Sequence, residues 1–580
     1  MFGRAIMAAN VAGDTRSEHW RMLAAILLAA ILLRVIALSA YGLWTDEALT
    51  IVLSNWSVTD MLLLPTDPTP LFYQVFHKLL IPANAPLEVV RSISVVAGVM
   101  SVGLMYLLGR LAFGTAGGLL AAALLAVWSA HVDYSQEARA YSLLFFLTLL
   151  TSFGLVYYAH LLRQEAAEPG KADPGRRLFA LALFGIGNVL SFYTHVVATF
   201  WIVLTGLMLV AIGRRDRRGH RPELIAVFAA MAVCALPGIY RLIQQMLAGD
   251  DFHWLPQADL LEFATTSANV FLPVGLWDNP LTNALGASGA VQAVVGAAAV
   301  VLVGTGFWFG GRRLRGSLRE RPVVLWLILA YLTAPVLVWL FGFVARPLFM
   351  DRTILFAVPG VILLITALCL ALEKQAATWA ALAAVLLYGA STLSFGIMRE
   401  KEDWRGAYAY LAAVASPADA IAVCPLYNYP ALRYHAVAPI GSSVLAVAAD
   451  RNLVQIERGL GADPDWDKTY FRHFLVPRVA GARPTTQDIR VPGRLDLQPG
   501  QSVWRVDGHC NPGFSADMDA ALGAVSPDPD IAWRQTRKDP RAFGITIRRY
   551  RVVGPVAFDI ETLVSPQQVA GASRSLGRVP

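Results

Sequence analysis

The sequence predicts a polytopic α-helical membrane protein of about eleven spans, followed by a C-terminal soluble α/β domain. Three observations lead there. The 580 residues are 56% hydrophobic and only 15% charged, whereas soluble domains carry roughly 25% charged residues. Up to about residue 397 the apolar residues come in runs of roughly twenty, the length that crosses about 30 Å of hydrocarbon. Beyond Arg399 the composition changes to one rich in Asp, Arg and Pro. The expected division is therefore a transmembrane part, 1–398, with an external first loop at 41–89, and a soluble part, 399–580.

The first apolar run, Leu23 to Ala40, contains Arg34 as its only charge. It is longer than the core of a usual signal peptide, and more membrane-associated sequence follows, so it reads as a retained span. Spans are expected near 22–40, 90–109, 116–131, 141–161, 178–193, 195–213, 223–242, 289–310, 323–343, 353–372 and 376–397. Arg and Lys cluster in short connections, such as Arg163 to Arg177, Arg214 to Arg221 and Arg312 to Arg321. With a cytoplasmic N-terminus every such loop stays inside, as the positive-inside bias requires. This orientation predicts a multi-pass inner-membrane protein whose C-terminal domain is periplasmic. The formal charge of +7 is thus a topology signal. No basic stripe with interleaved aromatics supports nucleic-acid binding.

The external loop 41–89 is too apolar to be linker. Two mostly apolar stretches, Ala48–Leu64 and Leu71–Ile81, flank the break Pro65-Thr66-Asp67-Pro68-Thr69-Pro70. Each is too short to span, so both suit helices lying in the interface. In the C-terminal part, Trp404–Val414 has helical periodicity, Ala420–Val423 is a short apolar strand and Ile545–Val553 alternates as a strand does. Cys234 and Cys369 lie in apolar runs. Cys424 and Cys510 are both in the external domain, where a disulfide can persist, but spacing does not show that they meet.

Four polar clusters interrupt the apolar part on the external side. They are Asp46-Glu47, Asp67 to Tyr73, His131 to Tyr141 and Arg346 to Arg352. Carboxylates and arginines together at a membrane face suit transfer of a sugar from a lipid-linked phosphate. A base removes the acceptor proton, and the departing phosphate needs positive charge rather than a second carboxylic acid, unlike glycoside hydrolysis. Plainer readings stand beside this one. Asp46 and Glu47 suit a helix N-terminus, Asp67 suits a turn, Arg139 and Arg352 suit lipid headgroups, and His195 suits a satisfied core histidine.

The stretches LWTDEALT, DPTPLFYQVF, VRSISVVAG, SQEARAYSLL, FYTHVVATF, MDRTILFAVPG and EDWRGAYAYL occur in order along the chain. As an ordered set they resemble the C-superfamily membrane glycosyltransferases, specifically bacterial relatives of dolichyl-phosphate-mannose protein mannosyltransferases and of the lipid A aminoarabinose transferase. The resemblance implies that fold, a polyprenyl-phosphate sugar donor, an external active site and inversion at the anomeric carbon. Asp46 matches the catalytic base, with Glu47 and Asp67 as the accompanying acids. Arg139 and Tyr141 match an Arg-x-Tyr pair at the donor phosphate. Arg352 matches a further phosphate-binding arginine, although Thr353 stands where the family has tyrosine.

His131, Tyr134, Glu137 and His195 are further candidate substrate contacts. The expected partners are the lipid-linked donor, membrane lipid, and an envelope glycan, lipid or protein as acceptor. No cofactor is required by this chemistry and no metal ligand set is assigned, while Asp46, Glu47 and Asp67 leave a divalent cation open. The competing classes are a lipid-linked sugar transporter or flippase and a non-catalytic envelope assembly protein.

Overall fold

The computed structural model describes residues 2–55, 57–63, 70–82, 85–168, 173–215, 219–247, 255–273, 321–345, 347–398, 401–436, 438–447, 453–462, 489–508, 510, 512–523, 525–526, 529–535 and 544–564. The chain opens with α1 (Phe2–Val35), which ends five residues short of the predicted limit at 40. The first loop then folds as α2 (Thr45–Ser54), α3 (Val58–Leu63), α4 (Phe72–Leu80) and the single turn α5 (Leu87–Val90). Next come α6 (Ser92–Ala126), α7 (Ser129–Ser135), α8 (Tyr141–Ala167), α9 (Pro174–Thr194), α10 (Ala198–Arg215), α11 (Arg221–Leu247) and α12 (Leu260–Phe271). The remaining bundle helices are α13 (Pro322–Val344), α14 (Asp351–Ile354), α15 (Val358–Ala371) and α16 (Lys374–Met398).

Among the described residues, eight helices are long and apolar enough to cross a membrane. The span expected near 289–310 lies outside the described residues. The two spans expected at 90–109 and 116–131 form one run, α6, that breaks at Gly114, where φ is +85°. Only glycine adopts that backbone without strain. The chain doubles back there, and a Cβ at Gly118 would lie 2.7 Å from the carbonyl oxygen of Tyr106. A second close approach joins α8 and α9, where a Cβ on Gly154 would meet the Ala180 carbonyl oxygen at 2.7 Å. Backbones this close replace the missing hydrophobic drive between helices in lipid with tight van der Waals contact. The tight junction expected between 193 and 195 is the three-residue turn 195–197, which starts at extended His195 with φ −160° and ψ 139°.

The C-terminal part begins with α17 (Trp404–Val414), the helix its periodicity predicts, capped by the Asp403 side chain on the Gly406 N–H. It continues through β1 (Ala420–Cys424), α18 (Tyr429–Tyr434), β2 (Ser443–Val447), β3 (Leu453–Glu457), β4 (Ile489–Leu497) and β5 (Ser502–Asp507). The last elements are α19 (Pro512–Leu522), β6 (Asp530–Arg534), β7 (Thr546–Arg551) and β8 (Val556–Val564). The eight strands form one mixed sheet in the order β4-β8-β3-β2-β1-β5-β7-β6. Central β1 runs parallel to both neighbours and is buried on both faces, as its unbroken apolar sequence demands. Cys424 at the end of β1 pairs with Cys510 in a disulfide, their Cα atoms 5.4 Å apart.

The first-loop helices correct the interfacial expectation in one respect. Helix α2 does not lie open on a lipid surface. Ala48 and Val52 belong to the same apolar cluster as Trp404, Tyr408, Ile421 and Tyr429 of the C-terminal domain. Helix α4 does keep an apolar edge outside, with Leu79 and Leu80 exposed. The sheet domain therefore rests on the loop that carries the acidic pair.

Candidate active site

Helix α2 starts after Trp44, and its first turn is Thr45-Asp46-Glu47. Acids in a first turn suit the partial positive charge of a helix N-terminus. Consecutive residues on a helix point about 100° apart, so the two carboxylates face different surroundings. Glu47 is fully buried. Its Oε1 and Oε2 accept from Arg91 Nε at 2.8 Å and Nη2 at 2.6 Å, and the Ala138 N–H donates to Oε1 at 2.7 Å. Arg91 also donates to the carbonyls of Leu38, Tyr41 and Gly42. Burial pushes the Glu47 carboxyl upward, but the hydrogen bond and charge of Arg91 outweigh it and hold the group below its ordinary value. This pair ties the start of the first loop to the start of α6 and to the loop before α8.

Asp46 keeps 23% of its side chain exposed. Its Oδ2 lies 3.0 Å from Arg352 Nη1 and 3.6 Å from Arg139 Nη2. Arg139 also donates to the Asp46 backbone carbonyl at 3.2 Å, which orients the guanidinium independently of the carboxylate. Both arginines sit over the ring of Tyr141, 5.7 and 5.9 Å from its centroid. Tyr134 packs edge-on against the same ring, and burial with the neighbouring acids pushes its phenol well up. The His195 ring lies 5.9 Å from Tyr141. Burial and the charges of Arg139 and Arg352 push His195 down to about 3. It is therefore neutral, and its Nδ1 accepts from the Val197 N–H at 3.2 Å, which leaves the proton on Nε2. A carboxylate, two guanidiniums, a neutral imidazole and two phenols thus converge at one end of the bundle.

Other sequence candidates go elsewhere. Asp67 lies outside the described residues. His131 is completely buried and meets Arg34 through Nδ1 at 2.7 Å, with its ring against Phe145. The Arg34 guanidinium is otherwise held by the carbonyls of Ala30, Leu125 and Ala126. His131 thus packs between helices in this structure, because the α7 face that carries it turns into the bundle. Glu137 is buried and pairs with Lys401 of the segment leading into the C-terminal domain. Arg352, Arg139 and Tyr141 do come together, as their ordered motifs suggest.

Several residues at the site were not singled out from sequence. Arg91 stands in one of the quoted stretches, but a lone arginine at the start of a span carries no pattern that marks a partner. Thr45 is held by Glu402 and Asn428. Tyr427 sits beside the same acids. Burial pushes its phenol up to about 12, and Glu402 and Asp46 add to the shift. No local pattern marks 402, 427 and 428 as neighbours of residue 46. Among the described residues, the one group of three potential metal ligands is Cys424, Asp507 and Cys510, and the disulfide already occupies both of its thiols.

No known family model matches the chain, and no curated protein matches it. Solved structures do. Apo ArnT from Cupriavidus metallidurans superposes with a TM-score of 0.52 at 12% identity, covering 94% of this chain and all of that one. ArnT from the same organism bound to undecaprenyl phosphate gives 0.49 at 12% identity, covering 92% of this chain and 99% of that one. The Archaeoglobus fulgidus oligosaccharyltransferase in its apo form gives 0.41 at 12% identity, covering 72% and 63%. The similarity to apo ArnT runs through both the helical bundle and the sheet domain, and this chain has the fold of the C-superfamily membrane glycosyltransferases.

Proposed function

We propose that this protein is an inverting glycosyltransferase that moves a sugar from a polyprenyl-phosphate donor to an envelope acceptor at the external face of the inner membrane. The observation that carries the reading is the Asp46 carboxylate, partly open to solvent, with Arg352 at 3.0 Å and Arg139 at 3.6 Å. In the resting site the arginines neutralise Asp46. A donor phosphate competes for both guanidiniums, which match phosphate oxygens in planar geometry. Asp46 then loses its counter-ions and becomes a better base. It takes the proton of the acceptor hydroxyl as the new bond to the anomeric carbon forms and the bond to the phosphate oxygen breaks. The polyprenyl phosphate leaves with its added charge held by Arg139 and Arg352, in a setting where such charges act strongly.

Tyr141 fixes the two arginines from below, and His195 with its Nε2–H is placed to donate rather than to carry charge. Glu47, enclosed by Arg91, is read as the anchor of this assembly and Asp46 as its reactive member. The test incubates purified protein with a panel of polyprenyl-phosphate sugars and envelope acceptors and identifies products by mass spectrometry. Transfer that is lost in Asp46→Asn supports the reading. Movement of labelled lipid across the bilayer with no covalent product would overturn it in favour of a flippase.

A further inference from the structure

Helix α2 carries Asp46 in its first turn, yet its own N-cap residue, Trp44, makes no side-chain capping hydrogen bond. The first N–H groups of a helix have no partner inside it, and an oxygen acceptor normally comes from the N-cap side chain. Here the acceptor comes from a residue 357 positions further along the chain. The Glu402 Oε2 accepts from the Thr45 N–H at 3.3 Å and from the Thr45 hydroxyl at 2.8 Å. A carboxylate at that point also complements the helix dipole. Asn428 Oδ1 lies 2.9 Å from the same hydroxyl, and its amide is oriented by the Nδ2 group donating to the carbonyls of Cys424 and Gly508.

The strap that presents Glu402 belongs to the sheet domain rather than to α16. Gln535, just past β6, accepts from the Asp403 N–H at 3.0 Å and donates to the Lys401 carbonyl at 2.7 Å. Trp404 Nε1 donates to Glu402 from the start of α17. Lys401 reaches across to Glu137, two residues before Arg139, and lies 5.5 Å above the Trp44 ring. The sheet domain thus grips α2 and the Arg139 loop by separate contacts, and the apolar packing of Ala48 and Val52 follows the same surface.

We propose that Glu402 and Asn428 are positioning residues for Asp46: the C-terminal domain caps α2 in trans and so sets the orientation of the base. The proposal rests on the reading of Asp46 as the base. It gives the sheet domain a role in the reaction itself, because any acceptor that shifts the domain also shifts the first turn of α2.

The experiment uses the full chain in lipid nanodiscs, with hydrogen exchange at amides 45–50 and steady-state transfer measured in parallel. In Glu402→Ala, exchange at those amides should rise about tenfold, and kcat should fall by about tenfold with donor KM unchanged, the scale of losing one cap. Glu402→Gln keeps an acceptor oxygen and should restore both. Thr45→Val keeps the backbone bond but loses the hydroxyl, and should fall between the two. A merely structural role would instead lower the amount of donor-binding protein and leave kcat per binding site intact, which would overturn the positioning role. Unchanged exchange in Glu402→Ala and in Thr45→Val would overturn the trans cap whatever the activity. Exchange that responds as expected in a protein with no transferase activity on any donor would instead refute Asp46 as the base, and the catalytic half of the proposal with it.

Discussion

Replacing Glu47 by alanine separates an anchoring carboxylate from a catalytic one. The change leaves the Arg91 guanidinium, 3% exposed, without its counter-ion. It also removes the acceptor of the Ala138 N–H. Three carbonyl partners of Arg91 remain, so the cation keeps hydrogen bonds but loses its neutralising charge. Removing one partner of a buried pair costs about 3–5 kcal/mol, well above the roughly 1 kcal/mol typical of point substitutions. Equilibrium unfolding in mixed micelles, titrated with a denaturing detergent, reads this directly.

Glu47→Gln should lose less, because its amide oxygen still accepts from Ala138 or Arg91. The double variant Glu47→Ala with Arg91→Met should recover part of the loss, since an apolar replacement of a buried pair is often near neutral. Recovery should be incomplete, because the carbonyls of Leu38 and Gly42 then lose their donor. Transfer per folded molecule should remain measurable in Glu47→Gln. If Glu47→Ala unfolded like the unmodified protein while transfer per folded molecule vanished, Glu47 would be a reacting group and the anchoring argument would be wrong.

Asp46→Asn should lower kcat by about 10²–10⁴, the range for losing a general base, with a smaller change in unfolding than Glu47→Ala because Asp46 is partly exposed, as checked by the same titration and by product formation. Arg139→Lys, which gives up the flat guanidinium over Tyr141 and its paired donors, should raise donor KM about tenfold, read from donor titrations. The folded-state pKa of Glu47 is lowered from 4.5, so its pairing contributes stability above that value and loses it as pH falls through the depressed one. Unfolding titrations from pH 7 to pH 3 should therefore be steeper for the unmodified protein than for Glu47→Gln. Cys424→Ala opens a link spanning 86 positions and should cost about 2–5 kcal/mol, visible as a lower unfolding midpoint that reductant no longer changes.

The bundle was legible because its signals are local. Roughly twenty apolar residues make a span wherever they fall, and the periodicity of Trp404–Val414 marks a helix by itself. The reversal at Gly114 was visible as a short gap between two apolar runs, although not as one continuous helical stretch. At the site, the ordered motifs brought Asp46, Arg139, Tyr141 and Arg352 together, and they do meet. What could not be read was orientation. His131 and Arg139 stand eight positions apart in one polar stretch, yet one faces Arg34 and the other Asp46. Which side of a seven-residue helix turns inward depends on the neighbouring helices, not on the stretch itself. Glu402, Tyr427 and Asn428 were hidden for a related reason, since only docking of the sheet domain brings them to α2.

The hydrogen bond between Thr45 and Glu402 joins residues 357 positions apart, and this distance has a temporal meaning. Ribosomes release Thr45 and Asp46 before Glu402 and Asn428, with the helices of the bundle emerging in between. During synthesis the turn that carries Asp46 exists before its cap, and the contact with Glu402 forms only when the sheet domain has been made and folded. A chain stalled before that point would keep Arg139 and Arg352 beside Asp46 but would lack the Glu402 cap on Thr45.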